Sequence, residues 1–150
     1  MSEENVEVAG QGEHGGEADR IDLERVRRNY EAFGQRDWDQ AQSLMDPDIT
    51  WHDPPGLAGG GVHRGRNALR RAWQENFEET WAEFRLEPQQ MIPSGDLLFV
   101  HVVLSGRSRH EALDVSMDVF QVWTFRDGLA VNQEAFLDRD EALAAAGLRE

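Results

Sequence analysis

Val115-Ser116-Met117-Asp118-Val119-Phe120-Gln121-Val122-Trp123-Thr124-Phe125-Arg126-Asp127-Gly128-Leu129 is the stretch on which the fold turns. In an extended strand, side chains alternate between the two faces. Val115, Val119, Trp123 and Phe125 then fall on one side, and Phe120 and Val122 on the other. Asp127-Gly128 is a strong short hairpin signal, so Leu129 to Leu137 should return antiparallel. A sheet with one wet face should alternate apolar and polar residues cleanly. This strand is apolar on both sides, which calls for helices against one face and a partner, most simply a second copy of the chain, against the outer face.

Working outward, the period of two also covers Phe84 to Ile92, closed by Pro93-Ser94-Gly95-Asp96, and Leu97 to Arg107. Before that the period is helical. Leu23, Val26, Tyr30 and Phe33 make one apolar face of a helix capped by Asp22 and ended by Gly34. A shorter helix should run from Trp38 to Met45 with Asp37 as cap, and another from Arg66 to Thr80 with Leu69, Trp73 and Phe77 at four-residue steps. Ile49 to His52 reads as a short strand, and Gly56 to Gly65 as a glycine-rich loop at the mouth of a pocket. Asp138 caps a last helix, Arg139 to Ala146, stopped by Gly147. Runs of helices followed by hairpin strands indicate an α+β fold with an antiparallel sheet.

The chain of 150 residues suits one domain. Residues 1–20 hold six acids, four glycines and few apolar residues, and read as a disordered acidic tail before a folded domain at 21–150. With 15 basic and 29 acidic residues the net charge is −14, which disfavours nucleic acid and anionic membrane as partners. No apolar stretch approaches the roughly 18 residues of a membrane span. No secretory signal is evident and there is no cysteine, so a cytoplasmic location is expected. Every basic residue is arginine, so lysine Schiff-base chemistry is excluded.

Trp51-His52-Asp53-Pro54-Pro55-Gly56 carries the chemistry. A strand must stop at the double proline. Trp51 and Asp53 share one face there, and His52 points the other way. A carboxylate against an aromatic wall has its pKa raised and becomes a useful proton acceptor. Asp-Pro is also ordinary turn chemistry, and both readings stand at this level. His101, between Val100 and Val102, is a candidate proton shuttle or ligand contact, although a satisfied core histidine is the plainer reading. No metal-binding spacing connects His52, Asp53 and His63, and no metal or cofactor is expected.

The chain resembles SnoaL-like proteins of the nuclear transport factor 2-like superfamily, which includes ketosteroid isomerase and polyketide cyclases. The resemblance rests on Tyr30-Glu31-Ala32-Phe33, Asp37-Trp38-Asp39, Asp46-Pro47-Asp48-Ile49, Trp51-His52-Asp53-Pro54, Arg64-Gly65-Arg66, Val122 to Gly128, and Asp138 with Glu141-Ala142-Leu143. It implies a cone-shaped, curved sheet wrapped around the N-terminal helices, an apolar pocket for a small apolar ligand, and a homodimer across the outer sheet face. It does not fix a reaction. It places Asp53 at the general base of ketosteroid isomerase. That enzyme's oxyanion-hole tyrosine falls on Asn29, one step from Tyr30, and its oxyanion-hole aspartate on Gln121. The expected site is therefore Asp53 and Gln121 for proton transfer on a carbonyl compound, with Tyr30, Trp51, His101, Trp123 and Gln133 contacting the ligand. The alternatives are a non-catalytic ligand-binding domain and a dimeric interaction domain of the same fold.

Overall fold

The computed structural model describes residues 7–8, 21–54 and 61–148. The expected tail lies outside the described residues apart from 7–8, and so do Pro55 and the glycines from Gly56 to Gly60. In chain order the elements are β1 (Glu7–Val8), α1 (Leu23–Gly34), α2 (Trp38–Gln42), β2 (Met45–Asp53), β3 (Gly61–Arg64), α3 (Arg66–Thr80), β4 (Trp81–Ser94), β5 (Leu97–Ser108), β6 (Asp114–Arg126), β7 (Leu129–Phe136) and α4 (Arg139–Ala145).

Helix starts follow the acids that the sequence marks. Asp22, Asp37 and Asp138 each accept a hydrogen bond from the backbone N–H three residues on, which satisfies a donor the helix leaves free. Helix α4 has seven residues, so its cap carries much of its local stability. Asp138→Ala should cost about 1 kcal/mol in urea unfolding. An unchanged midpoint would show that α4 is held by packing alone.

The strands form one curved, unclosed sheet in the order β1-β4-β5-β6-β7-β2-β3. The meander β4 to β7 is antiparallel throughout, as the hairpin signals require. Two pairings depart from the antiparallel expectation: β2 runs parallel to β7, and β1 parallel to β4. Strand β2 begins at Met45, not Ile49, and α2 stops at Gln42. Pro47 has no N–H for the ladder, and the register with β7 shifts between Met45 and Thr50 around it. Residues 61–64, expected as loop, make β3 by pairing antiparallel with Thr50 to Asp53. Gly65 then turns the chain into α3 with φ of 89°, a conformation that suits glycine, while its N–H donates to the Ile49 carbonyl at 2.7 Å.

Helices α1 and α3 fill the concave side. Val26, Tyr30 and Phe33 from α1 meet Leu69, Trp73 and Phe77 from α3 and the inward residues of β2 and β4 to β7 in one core. The second apolar face is real as well, but this chain covers part of it. Phe99, Phe120 and Val122 pack under Ala142 and Ala146 of the C-terminal helix region. Among the described residues no helix is long and apolar enough to cross a membrane.

Candidate active site

Strand β2 ends at Asp53, with Pro54 just beyond, so its last two inward side chains are Trp51 and Asp53. Trp51 is buried edge-on between two other indoles: Trp73 at 5.5 Å and 80°, and Trp123 at 5.5 Å and 89°. This geometry sets the electropositive edge of one ring on the negative face of another. The wedge fixes Trp51, and its Nε1–H donates to Asp53 Oδ1 at 3.0 Å. Asp53 is half-buried, and desolvation pushes its carboxyl up to about 6, against smaller pulls downward from the Trp51 hydrogen bond and the His52 charge. His52 projects from the other face, where its Nε2 lies 3.2 Å from Asn132 Oδ1.

A cavity of about 30 Å³ opens beside Asp53. Its walls are Phe33, Trp51, Trp73 and Phe77, with Leu86, Val102, Leu104 and Val119 from the meander, and Gln121 is the polar group other than Asp53 in its lining. Asp53 and Gln121, paired from the sequence, therefore share one space although they are separated by 68 residues of chain. Two larger grooves, about 580 and 610 Å³, lie along Arg36, Glu83 and Arg85 and along Arg64, Arg66, Arg70 and Arg71, and neither adjoins Asp53.

Behind Gln121 lies a buried polar chain. The indole N–H of Trp123 donates to the Tyr30 hydroxyl at 3.0 Å, and that hydroxyl donates to Gln121 Oε1 at 2.5 Å. Tyr30 does not line the cavity, and burial raises its hydroxyl far above the ordinary phenol range, so it stays protonated. Gln133 is fully buried, in register with both Trp51 and Trp123, and neither of its amide atoms has a partner among the described residues. Of the expected ligand contacts, Tyr30, Trp123 and Gln133 are not among the residues that line the cavity.

Asn29 and His101 are placed elsewhere. Asn29 donates to the Ala41 carbonyl, ties α1 to α2 and does not line the cavity. His101 lies on the opposite sheet face, stacked on Phe120 with ring centres 4.9 Å apart, its Nε2 2.8 Å from Asp118 Oδ1. Strand parity explains it, because Val100 and Val102 face the core. His52, Asp53 and His63 do not gather, and among the described residues no three such side chains could hold a metal. The other lining residues are apolar: Phe33, Trp73 and Phe77 show in the sequence only as helix faces, and Leu86, Val102, Leu104 and Val119 only as strand positions.

A carboxyl that ionises near pH 6, facing an amide across an apolar space, can take a proton from carbon while the amide stabilises the negative charge that develops on a neighbouring oxygen.

Comparison with known proteins agrees with this architecture. No curated protein matches the sequence. Among solved structures, the chain is 28% identical to a nuclear transport factor 2-like protein of unknown function from Burkholderia pseudomallei, with a TM-score of 0.69 over 81% of this chain and 94% of that one. It is 26% identical to TerC, which was co-crystallised with polyporic acid, with a TM-score of 0.69 over 84% and 95% of the two chains. It is also 26% identical to a loop-truncation variant of IdmH, with a TM-score of 0.65 over 81% and 96%. Residues 26–133 match the model of the SnoaL-like domain, and the chain belongs to that family.

Proposed function

We propose that this protein is a cofactor-independent proton-transfer enzyme of the isomerase or cyclase type, acting on a largely apolar carbonyl compound. Asp53 is the base that removes a proton next to the carbonyl, and Gln121 donates to the oxygen as it becomes an enolate. The observation that carries this reading is the placement of Asp53: its carboxyl is lifted to about 6 by burial and lines the same cavity as Gln121. A base poised near working pH combines a usable ionised fraction with strong driving force. TerC, with its small organic ligand, supports a ligand in this fold. The cavity holds a water or two, whereas ligands of drug size occupy roughly 300–1,000 Å³. We therefore assign it the carbonyl end alone, the rest of the ligand lying outward past Asp53.

Deuterium exchange at carbon next to the carbonyl of small ketones, followed by proton NMR, tests the reaction without knowledge of the natural substrate. Exchange should rise with pH to a plateau, with a midpoint near 6, because only the ionised Asp53 accepts a proton. Exchange that is flat from about pH 4.5 to 8 would remove Asp53 from the chemistry.

One observation favours a second reading, a catalytically silent interaction domain that works as a homodimer: aromatic side chains already fill most of the interior. On that reading no ketone exchanges, and the protein sediments at twice the 17.1 kDa chain mass in every ligand condition.

A further inference from the structure

We infer that Trp123 and Tyr30 are positioning residues that lock the Gln121 amide with its NH2 toward the cavity, so that the site selects ligands presenting a hydrogen-bond acceptor over those of like shape that present none. The argument is a count of protons. An indole N–H can only donate. Trp123 Nε1 lies 3.0 Å from the Tyr30 oxygen, so that oxygen accepts there. The tyrosine hydroxyl has one hydrogen, and at 2.5 Å its neighbour is Gln121. The amide must therefore turn its carbonyl oxygen to Tyr30, because an NH2 there would leave the hydroxyl proton with no acceptor. All three side chains are buried, at 1%, 2% and 6% exposure, so water cannot rescue the reversed arrangement. Burial also keeps Tyr30 protonated, and the direction of the chain holds through neutral pH.

With its oxygen committed, Gln121 has its two N–H groups left, and no described residue accepts from them. Gln121 lines the cavity across which Asp53 sits. At neutral pH the ionised Asp53 accepts and Gln121 donates, so a ligand must bring a hydrogen for the first and an oxygen lone pair for the second. An acidic C–H beside a carbonyl supplies both. A hydrocarbon of the same shape brings no lone pair and leaves the Gln121 N–H groups unmet. This selectivity rests on the proposed function above for its ligand class, but the orientation of the amide does not.

Two measurements separate the claims. In the full-length protein labelled with 15N, the Gln121 side-chain amide protons should show NOEs to Val119 and Leu104 and not to the Tyr30 ring, with no ligand added. NOEs to the Tyr30 ring would overturn the orientation. Tyr30→Phe removes the lock, and the same NOEs should average over both faces with the melting cooperativity retained; an unchanged pattern would overturn the role of Tyr30. Where Tyr30→Phe does not fold, Gln121→Met serves instead, since it keeps the length and apolar fit of the side chain but has nothing to donate. Cyclohexanone and methylenecyclohexane are the ligand probes. The ratio of ketone to hydrocarbon affinity should be about fivefold or more higher in wild type than in Gln121→Met. Equal ratios in the two proteins, or binding of neither ligand, would overturn the selectivity. Wild type that keeps the NOE pattern but exchanges no ketone would end the catalytic reading and leave the orientation standing.

Discussion

Asp53→Asn is expected to lower the rate of ketone α-proton exchange by about a thousandfold while leaving ketone affinity within a few-fold. Asparagine keeps the shape and can still accept from Trp51 Nε1–H, so the aromatic wedge around residue 51 has no cause to move. What it cannot do is hold a proton taken from carbon. The same substitution should stabilise the protein, and the sign follows from the raised pKa. Unfolded, this carboxyl ionises near 3.8, and folded it ionises near 6. Well below 3.8 both forms are neutral and the folded state suffers no penalty. Above about 6 both are ionised, and the folded state bears the cost of a partly desolvated charge. Discounted for its partial exposure, that cost is roughly 1–2 kcal/mol. Asp53→Asn should therefore raise the melting temperature by several degrees at pH 7.5 and by progressively less as the pH falls toward 3. Lower exchange with no gain in stability at neutral pH would mean that the carboxyl is well solvated and acts in some other way. Stability gained with exchange intact would show a strained but idle acid.

The coupling of lost activity to gained stability reflects how the site is written into the sequence. Local chemistry was legible: each of the three capping aspartates starts its helix, and α3 spans the residues its periodicity marks. Side-chain parity put Trp51 with Asp53, and Gln121 with Trp123, on the concave face, because alternation along a strand needs no knowledge of its neighbours. The parallel pairing of β2 with β7 was not legible, since nothing local encodes which edge a strand joins. Nor was β3, four residues that become a strand only because β2 offers them an open ladder. In the site, the bond from Tyr30 to Gln121 crosses 91 residues of chain, and no spacing rule reaches that far. The resemblance puts the isomerase tyrosine at Asn29, and a step of about 100° around the axis separates that position from Tyr30. That rotation decides between a tie to α2 and a contact with the meander.

The largest expected loss of stability comes from a residue remote from Asp53. Gly106→Ala in β5 should destabilise the fold by about 3 kcal/mol, a fall of roughly 10 °C in melting temperature. A Cβ added there would stand 2.4 Å from the Glu83 carbonyl oxygen and 3.0 Å from Phe84 Cα. Both atoms are backbone, so no side chain can rotate away. The strand that must yield is β4, bulged between Trp81 and Glu83 and holding Phe84 in the core against Phe33 and Phe77. Alanine gains about 0.4–1 kcal/mol by restricting the unfolded chain, too little to offset a clash that shifts two paired strands. Gly34 supplies the control, because it faces the same segment of β4. An added Cβ would meet Arg85 Cα and the Phe84 carbonyl oxygen at 3.6 Å each, ordinary contact distance. At the end of α1, Gly34→Ala should be neutral or stabilising by up to about 1 kcal/mol. Opposite outcomes for two glycine-to-alanine changes against one strand would locate the tight packing at the β4–β5 ladder. Equal, small effects in urea unfolding would instead mean that β4 gives way easily, and with it the wall that holds Phe84 and Leu86 toward the cavity side.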